Sequence, residues 1–287
     1  MRRKRLEGDN VATGWEHDKR THFDEIVVNY DKIRPEYPAE LISDVIEYAG
    51  SADSGKKRAL EIGAGTGKAT KPFLDAGYDV TAVEAGANMA EFLWKKFEKY
   101  KTFRVTVAAF EDAVLAEGRY DLIYAASAFH WVDAEIGCPK VFRLLRSGGS
   151  VALFRYNEAF PAKGSQELAE EIRTVYDQHY RSYYKHPDWP VKKTHEEYAQ
   201  PSGILRGYGF SDLRAYGFTD VTMKFYDAER TFTADERIAF LDTLSDHRNL
   251  PEGNRAALYG GVREVILRHG GHYDLEYAFQ LYMGRKP

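Results

Sequence analysis

The stretch LEIGAGTGKAT, residues 60–70, sets Gly63, Gly65 and Gly67 at alternate positions behind a short apolar run that contains one acid, Glu61. Glycine reaches positive φ at little steric cost and leaves no Cβ between backbone and ligand, so a turn this bare admits a bulky group against the main chain. Two phosphate-binding patterns fit it poorly. A P-loop requires GxxxxGK[ST], with a hydroxyl for Mg²⁺. Here Gly67–Lys68 is followed by Ala69, and Ile62 stands in the place of the leading glycine. A dinucleotide turn requires GxGxxG. Gly63 and Gly65 satisfy it, but Lys68 occupies the third glycine position and Gly67 falls one place early. A second acid, Glu84, ends the next apolar run, a little short of the roughly 20-residue offset at which an acid meets ribose hydroxyls in Rossmann folds. A carboxylate there accepts hydrogen bonds from both the 2′ and 3′ hydroxyls; the plainer alternative is an exposed acid at a strand end.

The elements that position these residues alternate in type. Ala59–Ile62 reads as a short buried strand, Thr70–Ala76 as a helix, and Asp79–Val83 as a strand ending at Glu84. Met89, Phe92, Leu93 and Phe97 recur at helical spacing, Phe103–Val107 and Tyr120–Ala125 read as strands, and Ser150–Phe154 as a fifth. KVFRLLRSGG reads as a helix with cations in its last turn and glycines at its exit, and Pro139 as part of its first turn. Strand–helix–strand repetition predicts a parallel sheet covered on both faces, with ligands at the carboxyl ends of the strands. Upstream, YPAELISDVIEYAG places Leu41, Ile42, Val45 and Ile46 on one helical face, stopped at Gly50. Downstream, SQELAEEIRTVYDQHYRSYY predicts a long helix burying Leu168, Ile172, Val175, Tyr176, His179 and Tyr183. Two strands then return in GFTDVTMKFYDAERTFT and DLEYAFQLYMGRK, separated by two helices.

The chain has 287 residues, 44% of them hydrophobic, with a net charge of -4. These values describe an ordinary globular protein and predict no electrostatic attraction to nucleic acid or anionic membrane. The brief basic cluster Arg2–Arg3–Lys4–Arg5 reads as a solvated tail. Cys138 is the only cysteine, so no intrachain disulfide forms, which fits a reducing, cytoplasmic setting. The N-terminal charges lack the apolar run of a secretory signal, and no stretch approaches a membrane span. The histidines show no metal-ligand spacing, so no metal is expected.

Four pieces together resemble the class I S-adenosylmethionine-dependent methyltransferases, in particular the small-molecule branch with a type 11 methyltransferase domain. They are LEIGAGTGKAT, the strand-end acid in VTAVEAG, YDLIYAASAFHWVD, and RLLRSGGSVALF; NYDKIRPEYP also matches a segment often found before these domains. The resemblance runs from about residue 23 to residue 154, roughly half the chain. It implies an α/β fold with a Rossmann-like doubly wound seven-stranded sheet, mostly parallel with an antiparallel C-terminal strand, plus a helical cap. The expected layout is one catalytic domain. Residues 15–50 form N-terminal helices over the pocket, 57–157 the cofactor-binding core, 158–208 a cap insertion, and 209–287 the closing strands and helices.

The resemblance further implies S-adenosyl-L-methionine as cofactor, with S-adenosyl-L-homocysteine as product. Gly63, Ala64, Gly65 and Gly67 would shape the methionine end, Glu61 would face its amino group, and Glu84 and Ala85 would hold the ribose. Phe110, through its backbone amide, and Glu111 would lie near the adenine; Ala109 stands where the family often has an acid. Ala125 and Ala126 would border the sulfonium. His130 in SAFHWVD is the best polar candidate for a base or substrate contact, since an imidazole near its ordinary pKa suits neutral pH; the alternative is a loop-bracing histidine. Trp131, Tyr30, Arg34 and Tyr37 complete the expected substrate side, Arg34 through the cofactor carboxylate or an acidic substrate. Tyr180, Tyr183, Tyr184 and Trp189 are read as core packing with an aromatic pocket as the second possibility. Methylation of nucleic-acid amino groups is disfavoured, because AASAF replaces the Asn/Asp-Pro-Pro-aromatic motif. The expected partner is a small molecule, with no nucleic acid or membrane, and a monomer or homodimer. An NAD(P)-dependent oxidoreductase and a non-catalytic S-adenosylmethionine-binding module are the competing readings.

Overall fold

The computed structural model describes residues 26–50, 57–158, 166–185 and 193–287. The basic N-terminal cluster, the start of the expected N-terminal helices, His186 and Trp189 lie outside the described residues.

Seven strands form one sheet: β1 Arg58–Ile62, β2 Asp79–Glu84, β3 Phe103–Val107, β4 Tyr120–Ala126, β5 Leu145–Glu158, β6 Thr219–Thr233 and β7 His272–Arg285. Their order is β3-β2-β1-β4-β5-β7-β6. The first five run parallel, and β7 is antiparallel to both β5 and β6. This is the Rossmann-like, mostly parallel sheet expected from the alternation of elements. The central strands are mostly apolar because both faces are covered: Ala59, Leu60, Leu122, Ile123, Tyr124 and Leu153 are all fully buried.

The crossovers are α3 Thr70–Asp75, α4 Ala87–Phe97 and α5 Ala134–Leu144, preceded by α1 Val27–Ile33 and α2 Ala39–Ala49. Helix α2 buries Leu41, Ile42 and Val45 and ends at Gly50, whose φ of 73° supplies the left-handed stop. Two local expectations change. Helix α5 starts at Ala134, capped by Asp133, whose side chain accepts from the Glu135 amide. Pro139 therefore sits inside the helix rather than in its first turn. Strand β5 begins at Leu145, five residues early, because SGG forms an irregularity in the ladder between the Tyr120–Leu145 and Leu122–Ser150 pairs.

Beyond β5, α6 Gln166–Tyr176 passes into a π-helical turn at Asp177–Arg181 and then into the short α7 Ser182–Tyr184. Leu168, Ile172 and Tyr176 face the core as their spacing predicts. The wider π turn then shifts the register by about one residue. Tyr184 is consequently buried at 2% exposure, while Tyr183 turns outward at 37%. Helices α8 His195–Ala199 and α9 Pro201–Tyr208 follow, then α10 Ala234–Leu241, α11 Ser245–Arg248 and α12 Glu252–Arg268 between β6 and β7. Among the described residues, no helix is long and apolar enough to cross a membrane.

Candidate cofactor and acceptor site

Strand order reverses between β1 and β4, and that switch point opens a crevice at the carboxyl ends of the strands. Counted with the open solvent at its mouth, the crevice encloses about 1040 Å³. One wall is the turn after β1, with Gly63, Ala64, Gly65 and Thr66; Glu84, Ala85 and Gly86 follow β2, and Ala108, Ala109, Phe110 and Glu111 follow β3. Ala126, Ser127, Ala128 and Trp131 follow β4, Tyr156 comes from β5, and Tyr30, Arg34 and Tyr37 close it from the N-terminal segment.

The glycines divide by role. Gly63, Gly65 and Gly67 all have positive φ, at 65°, 56° and 80°. A Cβ on Gly65 would meet nothing within 4 Å, whereas one on Gly67 would lie 2.3 Å from Phe97 Cε2 and 2.6 Å from Leu93 Cδ1. Gly67 lies outside the crevice lining and serves packing against α4. Alanine should therefore separate the two positions. Gly67→Ala should destabilise the fold by about 2–4 kcal/mol, combining overpacking with a left-handed backbone. Gly65→Ala should lower stability by only about 1–2 kcal/mol yet weaken whatever ligand lies on the turn. Urea unfolding measures the first and calorimetric titration with S-adenosylhomocysteine the second.

Glu84 is fixed in place by two backbone donors. Its Oε2 accepts from the Gly65 amide at 2.8 Å and its Oε1 from the Gly86 amide at 2.9 Å. The carboxylate thus bridges the turns after β1 and β2, and each oxygen retains lone-pair capacity for a ligand hydroxyl. Thr66 adds a buried hydroxyl with no hydrogen-bond partner. An orphaned polar atom beside bare backbone and a tethered carboxylate is the donor and acceptor set that a nucleoside with a polar tail needs.

Four expected site residues do not line the crevice. Gly67 is one of them. Ala125 is buried at 1% exposure inside β4. Glu61 is buried behind the glycine turn, where its Oε2 accepts from Thr70 Oγ1 at 2.5 Å and from the Tyr124 hydroxyl at 3.0 Å. Burial raises its pKa to about 8, against the two hydrogen bonds that favour the charged form. His130 packs beside Trp131, ring centroids 5.2 Å apart. Burial, with Arg155 and Arg34 adding positive charge nearby, lowers its pKa to about 3. It is therefore neutral at pH 7 and a far weaker base than an ordinary imidazole, which corrects the expectation of a histidine poised near neutrality.

The N-terminal segment is held across the crevice by packing and by ion pairs. Ile33 and Leu41 enter the core. Lys68 pairs with Glu36 at 2.5 Å, and Lys96 with Asp31 at 2.6 Å; partly exposed pairs of this kind contribute at most about 1 kcal/mol each. Tyr37 donates to Ser127 Oγ at 3.0 Å and packs edge-on against Phe154. Arg34 donates through Nη1 to the Tyr156 hydroxyl and through Nη2 to the Thr243 carbonyl. Tyr180 instead donates to Asp246 Oδ2 at 2.5 Å, and Tyr184 to the Asp246 carbonyl, so these two tyrosines tie their segment to α11 and do not line the crevice.

Sequence reasoning missed Thr66, Lys68, Ser127 and Tyr156 as lining residues. Ser127 is held at φ 53°, a left-handed conformation for a non-glycine residue of the kind that concentrates at functional sites. Its place directly after a strand end was a usable signal. Tyr156 was hidden because β5 continues beyond the apolar run that marked it.

The sheet order and this crevice define a Rossmann-like α/β fold with its ligand site at the topological switch point. Residues 60–153 match the family model described as a methyltransferase domain. An uncharacterized methyltransferase of Mycobacterium bovis is 33% identical over 136 residues, covering 47% of this chain and 52% of that protein. The chain thus spans about half the length of the mycobacterial relatives it matches. An uncharacterized methyltransferase of Schizosaccharomyces pombe is 22% identical over 246 residues, covering 84% of this chain and 85% of the relative. Among solved structures, phosphoethanolamine N-methyltransferase 2 of Haemonchus contortus in complex with S-adenosyl-L-methionine shares the fold. Its TM-score is 0.51 at 16% identity, over 97% of this chain and 61% of that one.

Proposed function

We propose that this protein transfers the methyl group of S-adenosyl-L-methionine to a small-molecule acceptor, in the cytoplasm. The observation that carries the proposal is the tethered Glu84 carboxylate facing the Gly63–Gly65 turn within a methyltransferase domain. When bound, S-adenosyl-L-methionine supplies a methyl group already activated by its sulfonium, leaving S-adenosyl-L-homocysteine as product. The protein's part is alignment and exclusion of water. In this reading Gly63, Ala64 and Gly65 seat the methionine portion, with Thr66 Oγ1 as a further polar contact. Glu84 and Ala85 hold the ribose, Phe110 and Glu111 border the adenine, and Ala126 borders the sulfonium. Glu61 acts from behind the turn on the cofactor's amino group. Tyr30, Arg34, Tyr37 and Trp131 surround the acceptor, with His130 packed beside Trp131 outside this lining rather than acting as a base.

Residues 57–157 then form the cofactor core, and the helices of 166–208 the cap over the acceptor. Calorimetry tests the reading: S-adenosylhomocysteine should bind at micromolar concentration. Binding of NADH without S-adenosylhomocysteine would contradict it.

A further inference from the structure

One guanidinium, Arg34, lines the crevice, a second, Arg155, stands one residue from the lining Tyr156 in β5, and neither forms an ion pair with a carboxylate among the described residues. Arg34 lines the crevice and has only neutral partners, the Tyr156 hydroxyl and the Thr243 carbonyl, with aromatic faces of Tyr30 and Phe240 about it. Its Nε is buried with no hydrogen-bond partner. Arg155 precedes Tyr156 in β5 and, by strand alternation, points to the opposite face. It donates to the Gly207 carbonyl at 2.8 Å and to Asn157 Oδ1 at 3.0 Å. The Asn157 amide nitrogen is also buried and unpartnered. Glu158 pairs with Arg237 at 3.4 Å, and from there its charge also favours the charged form of Arg34 without a hydrogen bond to it.

Buried charges are normally paired, because an uncompensated ion in a low-dielectric site is costly. Here two cations and two orphaned N–H donors cluster around three consecutive residues of β5, and neither guanidinium is hydrogen-bonded to a carboxylate among the described residues. The Tyr156 hydroxyl, which accepts from Arg34, keeps its own hydrogen to donate. Arg34 Nε–H and Tyr156 O–H therefore offer two donors from adjacent groups, backed by the field of Arg155.

We infer that the acceptor carries a carboxylate, seated by Arg34 and Tyr156 at the β5 end of the crevice with Arg155 supplying further positive potential. The inference rests on the methyltransferase reading for the word acceptor, but the anion seat stands on its own geometry. The cofactor's carboxylate is assigned elsewhere, because Lys68 lines the crevice at the glycine turn and Lys96 donates to the Thr66 carbonyl there. A protonated amine acceptor would face the Arg34 guanidinium and a sulfonium together, so the same charges select against it.

The test begins with S-adenosylhomocysteine bound to the full chain. Acetate, succinate and benzoate are then compared with acetamide, succinamide and benzamide at ionic strength fixed by sodium chloride, by thermal shift and calorimetry. At least one acid should stabilise the wild-type complex where its amide does not. Arg34→Gln should weaken that acid at least tenfold and Arg34→Lys should restore part of the loss, with S-adenosylhomocysteine affinity kept within threefold. Acid and amide behaving alike in all three pairs overturns the inference, as does a shift that survives Arg34→Gln. So does a tenfold loss of S-adenosylhomocysteine affinity in that variant with acid binding intact. Should Arg34→Gln fail to fold, the wild-type acid–amide comparison decides alone. If wild-type protein fails to bind S-adenosylhomocysteine, the methyltransferase reading falls, and the same acid–amide comparison without it still judges the anion seat.

Discussion

Replacing Glu84 with alanine is expected to raise the dissociation constant for S-adenosylhomocysteine by about 5–150-fold. That range corresponds to the ~1–3 kcal/mol lost with hydrogen bonds to a charged acceptor. Two effects combine. The ribose hydroxyls lose their acceptor, and the amides of Gly65 and Gly86 lose the carboxylate that bridges them. The turn after β1 is then no longer held to the turn after β2, so part of the loss appears as disorder in an otherwise folded protein. Glu84→Gln should fall between, since its amide oxygen serves one backbone donor while its NH₂ repels the other. Calorimetry with a parallel urea melt separates binding from folding. An unchanged affinity in both variants removes Glu84 from the site.

The second large effect concerns Glu61 and pH. Its folded-state pKa is raised from 4.5 to about 8, chiefly by burial. Below pH 4.5 the carboxyl is protonated in both folded and unfolded chains and carries no penalty. Between pH 4.5 and about 8 the folded state binds the extra proton, so stability falls as pH rises, at up to about 1.4 kcal/mol per pH unit for this one group. Glu61→Gln keeps the acceptor oxygen for Thr70 and Tyr124 and abolishes the titration. The variant should therefore gain on the wild type steadily across that window, measured by urea unfolding at several pH values. Parallel curves for the two proteins would contradict the assignment. In the proposed reading the cofactor's ammonium lies across the glycine turn from Glu61 and should favour its charged form. Binding of S-adenosylhomocysteine at pH 7 should then release up to one proton in the wild type and none in Glu61→Gln. Calorimetry in two buffers of different ionisation enthalpy reads this directly.

The parts of this architecture that were legible in the sequence are those where local pattern and tertiary burial agree. Strands β1 to β4 are short apolar runs, and α2 and α4 carry their buried residues at helical spacing, so periodicity alone locates them. The glycine turn and Glu84 were legible because backbone conformation and strand-end position leave a direct trace in residue type. Where a tertiary contact overrides local appearance, the pattern misleads. Ser147, Gly148 and Gly149 read as a helix exit, yet they extend β5 because Leu145 already pairs with Tyr120. The π turn moves Tyr184 inward and Tyr183 outward, and nothing in a regular 3.6-residue period announces it. Gly67 looks like its neighbours, but only the distance to Phe97 reveals a packing role. His130 shows the limit most clearly. Its residue type suggests a base, while its behaviour is set by burial and by two arginines from distant segments.

A crystal structure with S-adenosylhomocysteine bound tests the central claim most directly. The account predicts both ribose hydroxyls within hydrogen-bond reach of the Glu84 oxygens and the homocysteine portion lying against the Gly63–Gly65 backbone. A nucleoside bound away from Glu84, or a pyrophosphate resting on the glycine turn, would contradict it.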